Sequence, residues 1–128
     1  MNKKRILLID DDLQFGRLTQ LTLQATANFE VSVQSDSRKA IETAREFKPD
    51  LILLDIVMPG LDGGDIERLL EGDPKLCEVP ILVVSAIVSE NDAGPDGLVQ
   101  SGGNVMVPKT IDPSMLIQCI EDRLCGKI

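Results

Sequence analysis

The chain has no histidine, no tryptophan and no tyrosine, and only three phenylalanines among its 128 residues. Without histidine there is no imidazole metal site, no serine–histidine triad and no histidyl phosphate formed within the chain. Scarce aromatics mean an aliphatic core, with Leu, Ile and Val packed on one another. Long apolar runs are missing too. MNKKR leads into an apolar stretch over 6–9 and then three acids, too short for a signal peptide and far too short for a membrane span. Cys77, Cys119 and Cys125 form no C-x-x-C pair and are odd in number, so free thiols in a reducing cytosol are expected. Positive charge is also in short supply: 13 Lys and Arg stand against 21 Asp and Glu, for a net −8. That argues against nucleic acid or an anionic membrane as a direct partner and suits a protein that gathers cations.

What is present reads as one domain over 1–128, long enough to bury a core without staples. The stretch LILLDIVMPGLDG (51–63) organises the rest: four apolar residues run into Asp55, and a Met-Pro-Gly turn follows. A short apolar run bounded by turn residues is a buried strand of a parallel sheet. Similar runs predict strands over 4–9, 29–34, 79–85 and 105–107. Between them, Phe15, Leu18, Leu21, Thr22 and Ala25 recur at helical spacing and predict a first helix over about 12–26. Ala40, Ile41, Ala44 and Phe47 mark a second helix, entered through the capping residues Ser35, Asp36 and Ser37 and stopped near Pro49. A short third helix spans about 63–70. Asp112 caps and Pro113 opens a last one, with Leu116, Ile117, Ile120 and Leu124 on one face. Between 89 and 103 the helical pattern is poor, because each Gly costs about 1 kcal/mol and each Pro about 3 inside a helix. A fourth helix there is expected to be short or irregular. Strand and helix alternating in this way give an α/β fold, a doubly wound five-stranded parallel sheet with helices on both faces.

The polar residues of interest all fall at the carboxyl ends of predicted strands: Asp10 and Asp11, then Asp55, Ser85 and Lys109. In a parallel sheet those ends share one edge. Carboxylates brought together repel unless a cation joins them, and an all-oxygen set without His or Cys favours Mg²⁺ over Zn²⁺. A metal, an amine and a hydroxyl are the parts needed to hold a phosphoryl group's oxygens during in-line attack. Asp55 is the natural nucleophile, with Asp10 and Asp11 holding the metal directly or through water.

These segments, ILLIDDD (6–12), PDLILLDIVMPGLDG (49–63), VPILVVSA (79–86) and VPK (107–109), closely resemble the receiver domain of two-component response regulators across essentially the whole chain. The resemblance implies the flavodoxin-like, chemotaxis-regulator-like fold with strand order 2-1-3-4-5. It implies that Asp55 is the phosphoacceptor, that Asp10, Asp11, Asp55 and the Val57 carbonyl bind Mg²⁺, and that Ser85 and Lys109 contact the phosphoryl group. Asp12 is a common third acid that need not touch the ion. The partners implied are a histidine kinase or phosphotransfer protein and a downstream protein or effector domain, with a homodimer as an open option. The chain would be a cytoplasmic signalling switch that catalyses only its own phosphorylation and dephosphorylation.

The sequence departs from the family in three places. The family's Lys-Pro is Lys109-Thr110 here, with proline at Pro108 instead, so a trans Lys109–Thr110 peptide is expected. The aromatic residue three positions before the lysine is Met106, which lacks its shape and hydroxyl. With the Gly- and Pro-rich stretch before it, this predicts a looser region over 88–103. Apolar Val57 and Ile87 stand where the family controls access of water to the phosphoryl group, and predict slow loss of phosphate. Two other functions compete. One is a receiver-like scaffold indifferent to phosphate. The other is a haloacid-dehalogenase-like phosphatase using Asp10 and Asp12, which would leave Asp55 without a role.

Overall fold

A computed structural model of the chain describes residues 3–55, 63–86, 94, 99–101 and 104–126. Its centre is β1 (Lys4–Ile9), in which every residue from Ile6 onward is buried. An aliphatic run such as 6–9, with no polar side chain facing either way, needs cover on both faces, and helices supply it. The remaining strands are β2 (Phe29–Gln34), β3 (Leu51–Asp55), β4 (Ile81–Ser85), β5 (Val99–Ser101) and β6 (Asn104–Pro108). The helices are α1 (Leu13–Gln24), α2 (Ala40–Phe47), α3 (Gly63–Glu71) and α4 (Pro113–Leu124).

The strands form one sheet in the order β2-β1-β3-β4-β6-β5. The first five are mutually parallel, so the expected order 2-1-3-4-5 holds with β6 as its fifth member. The sheet also carries a strand the sequence did not announce: β5 runs antiparallel to β6, pairing Val99 with Met106 and Ser101 with Asn104. Part of the stretch expected to be loose is therefore an edge strand. The rest of 88–103, apart from Gly94, lies outside the described residues, as does the expected fourth helix.

Alternation along the strands divides the core in two. Ile6, Leu8, Leu51, Leu53, Leu82, Val84 and Val107 face α1 and α4, meeting Leu23, Leu116 and Ile120. Leu7, Ile9, Ile52 and Leu54 face α2 and α3, meeting Ala40, Ala44, Ile66 and Leu70. Each large aliphatic side chain buried in this way contributes about 1.5–3 kcal/mol.

The first helix does not bury the stripe its periodicity suggested. Leu18 and Leu21 are 60% and 57% exposed, while Gly16, Thr19 and Leu23 face the sheet. The reason is the close approach of α1 to β2: a Cβ on Gly16 would sit 2.8 Å from Val33 Cγ1. Small residues take the contact and the larger leucines turn outward. The same helix seals the outer edge of β2, where Gln24 Oε1 accepts the Val31 N–H at 3.2 Å and Gln20 Nε2 donates to the Val31 carbonyl at 2.9 Å. An edge strand left open invites pairing with another chain, and these amides occupy its bonds.

Entry to α2 runs through a short turn over Ser37–Lys39, with Asp36 accepting the Arg38 N–H at 3.0 Å. The last helix begins as expected, with Asp112 Oδ1 accepting the Ser114 N–H at 2.9 Å and Pro113 in the first turn. No peptide bond among the described residues is cis, so Lys109–Thr110 is trans. None of the three cysteines forms a disulfide among the described residues. No helix among the described residues is long and apolar enough to cross a membrane.

Candidate functional site

Period-two alternation places the site. Ile6 and Leu8 on β1, Leu51 and Leu53 on β3, and Val107 before Lys109 all face the α1–α4 side. One step of the same phase carries each chain to Asp10, Asp55 and Lys109, on one side of one edge. The registers agree: Ile9 pairs with Leu54, Asp55 with Val84, and Ser85 with Pro108. Residues drawn from β1, β3, β4 and β6 thus converge through sheet topology alone.

Carboxylate oxygens of Asp10, Asp11 and Asp55 all lie within 4.8 Å of one another. Asp10 and Asp55 are buried, whereas Asp11 faces solvent. Lys109 Nζ reaches between them, 2.8 Å from Asp10 Oδ2 and 3.3 Å from Asp55 Oδ2. Its main-chain N–H donates to the Ser85 carbonyl at 3.0 Å, which ties the start of the last loop to the end of β4. Ser85 itself is fully buried.

One ammonium among three carboxylates leaves the cluster negative. Burial pushes the Asp10 carboxyl above its usual range, and the Asp55 charge adds to that. The Lys109 ammonium and the Asp12 N–H pull the other way without prevailing. Burial also works against the Lys109 charge, but contacts with Asp10 and Asp55 outweigh it and hold the ammonium above its ordinary value. Asp10 Oδ2 is buried beside the Lys109 ammonium and has no hydrogen-bond partner among the described residues. A buried acceptor in that condition, in an all-oxygen set, fits a hard divalent cation.

Two side chains gain roles that strand-end reasoning did not assign. Asp12 N-caps α1, its Oδ1 accepting the Phe15 N–H at 3.1 Å, while its own N–H donates to Asp10 Oδ1 at 2.9 Å. This use of its carboxylate disfavours the phosphatase alternative, which needs Asp12 as a second free acid. Phe15 lies with its ring centroid 4.9 Å from Lys109 Nζ. A phenylalanine three residues past a capping acid, in a chain with so few aromatics, was the available signal. Val57 and Ile87 lie outside the described residues.

A parallel α/β sheet with an acid cluster, an amine and a hydroxyl residue on its carboxyl edge defines a phosphoryl-handling signalling domain of the flavodoxin-like class. Residues 6–121 match the response regulator receiver domain, and the chain belongs to that family, the phosphoacceptor module of two-component systems. It is 31% identical over 122 residues to the DNA-binding response regulator MtrA of Mycolicibacterium paratuberculosis, covering 95% of this chain and 52% of MtrA. Response regulator PleD of Caulobacter vibrioides is 38% identical over 112 residues, 88% of this chain and 24% of PleD. Among solved structures, the BeF3-activated N-terminal receiver domain of Klebsiella pneumoniae RstA superposes with a TM-score of 0.75 at 27% identity, covering 94% of this chain and 98% of that one. The chain thus spans about half the length of MtrA and about a quarter of PleD.

Proposed function

We propose that Asp55 accepts a phosphoryl group from a histidine kinase or phosphotransfer protein and that the added charge switches a partner-binding surface. The observation that carries this reading is the negative cluster itself: three carboxylates within 4.8 Å, with the Lys109 ammonium 3.3 Å from Asp55. Asp10, Asp11 and Asp55 are the side chains that would hold Mg²⁺, together with the Val57 carbonyl that the family resemblance adds. Bound there, the ion supplies positive charge against the phosphoryl oxygens.

The chain's own residues do the remainder. A carboxylate oxygen of Asp55 attacks phosphorus in line as the bond from phosphorus to the donor nitrogen breaks, and that nitrogen keeps the electron pair. Lys109 is within reach of a phosphoryl oxygen on Asp55 and offsets its charge. Ser85, at the end of the neighbouring strand, offers a hydroxyl to another oxygen. Movement of these two toward the new anion biases the surface around β4 and β6. Catalysis is confined to the chain's own phosphorylation and dephosphorylation. The 1–128 stretch acts as one receiver unit, supported by a single sheet that carries both core clusters. Its setting is the cytoplasm. Its output is a downstream protein or effector domain, of which the DNA-binding class named for MtrA is one example.

The test is intact-mass measurement after incubation with phosphoramidate and Mg²⁺. One added phosphoryl group is expected on the wild type and none on Asp55→Asn. Labelling that survives in Asp55→Asn, or an unlabelled wild type, would overturn the assignment.

A further inference from the structure

Phe15 is the one aromatic ring on α1, and it is only half-buried. Its backbone N–H is held by the Asp12 carboxylate at 3.1 Å, and Asp12 is held in turn by Asp10 Oδ1 at 2.9 Å. The ring edges the α1–α4 core and sits 4.9 Å from Lys109 Nζ, which itself contacts Asp10 Oδ2 at 2.8 Å. The contacts close on themselves: Asp10 to Asp12, Asp12 to Phe15, Phe15 to Lys109, Lys109 back to Asp10. An aromatic face attracts an ammonium through its quadrupole and excludes water from that side.

We propose that Phe15 is a positioning residue for Lys109, its ring face holding the ammonium over Asp10 and Asp55. The kinetic consequence rests on the phosphoryl-transfer reading above, whereas the positioning itself does not. A divalent cation among the acids competes with Lys109 for carboxylate oxygens. It does not compete for the ring, so the ring keeps the amine in place when the carboxylates are engaged. A phenylalanine that merely filled the core edge would be indifferent to its electron density, and that difference is measurable.

The experiment replaces Phe15 in the full chain with mono-, di- and trifluorinated phenylalanine, which keep its shape while weakening the face step by step. Two quantities are read. One is the hydrogen exchange of the Lys109 ammonium, from its ¹⁵Nζ signal in the metal-free protein. The other is the rate constant for phosphorylation by phosphoramidate at saturating Mg²⁺. Exchange should quicken and the rate constant should fall with each fluorine, by about three- to tenfold across the series. The urea midpoint and the half-saturating Mg²⁺ concentration should stay level. Phe15→Leu, which has no face, should match or exceed the last member in both readouts. Ammonium exchange that is flat across the series overturns the proposal whatever the kinetics do. If exchange responds but even the wild type takes no phosphate, Phe15 still positions Lys109 and the phosphoryl-transfer reading fails.

Discussion

The two ends of β1 carry the same device, a cation beside an aromatic ring and two acids, at different depths. At the amino end the Arg5 guanidinium lies 4.4 Å from the Phe47 ring centroid and 3.2 Å from Glu30, while the Arg5 N–H donates to Asp50 Oδ2 at 2.8 Å. The Arg5 and Glu30 side chains there are about half open to water, 41% and 55% exposed. At the carboxyl end the Lys109 ammonium lies over Phe15 between Asp10 and Asp55, and its side chain is only 12% exposed. One end pairs its cation with acids that water also screens. The other buries more acid than its cation can neutralise. Structure alone would not retain such an arrangement, since a buried like-charge cluster costs stability. An excess of buried negative charge is therefore the mark of a site, and a water-screened pair is the mark of a scaffold.

Removing the cation at each end should separate the two most sharply. Lys109→Met leaves Asp10 buried without its counter-charge and should cost about 3 kcal/mol of stability in metal-free urea unfolding. Added Mg²⁺ should restore much of that loss, because it replaces the missing charge. A Lys109→Met protein as stable as the wild type would remove the contrast between the ends.

The amino edge offers a pH-dependent counterpart where α2 and α3 end. Asp73 accepts the Lys75 N–H at 2.8 Å and the Arg45 Nε–H at 2.6 Å. The Lys75 N–H, with Arg45 behind it, holds the Asp73 carboxyl below its usual value. A carboxyl lowered on folding contributes stability above its unfolded value, about 3.9, and loses it as the pH falls through the lower folded value. Asp73→Asn should thus lower the urea midpoint at pH 7, and the two proteins should converge in strong acid. A midpoint difference that stays constant from pH 7 to pH 2 would count against that role.

Effects at Arg5 should be smaller. Arg5→Met should cost less than about 1 kcal/mol, since exposed ion pairs contribute little. Mg²⁺ should not reverse the loss, and a Mg²⁺-dependent recovery would show that the two ends are not distinct. The smallest change concerns Ala27, which follows α1 with φ at 64°. Ala27→Gly should raise stability by about 0.5 kcal/mol, because glycine adopts that conformation without a Cβ penalty. Calorimetry with no change in the melting enthalpy would register it.

Much of this was legible in the residues. Aliphatic runs ending in Asp10, Asp55, Ser85 and Lys109 announced buried parallel strands and a shared edge, and Asp112-Pro113 announced the last helix. These signals are local: each depends on a run, a cap or a turn. What escaped depends on contacts between distant segments. Val99–Ser101 sits beside a Gly-Gly pair and reads as loop, yet it finds a partner in β6. The inward face of α1 was misread because leucines and small residues both recur at helical spacing, and only the Gly16–Val33 approach decides between them. Phe15 lies on the predicted stripe, but only the sheet brings Lys109 to it, so spacing marked the ring and not its partner.

The most direct measurement is a calorimetric Mg²⁺ titration of the wild type, Arg5→Met and Asp55→Asn. One ion per chain is expected for the wild type, with unchanged affinity in Arg5→Met and affinity at least about tenfold weaker in Asp55→Asn, a loss of 1.4 kcal/mol or more. A wild type that binds no Mg²⁺, or an Asp55→Asn protein that binds it equally well, would contradict the assignment of the buried acids to a cation site.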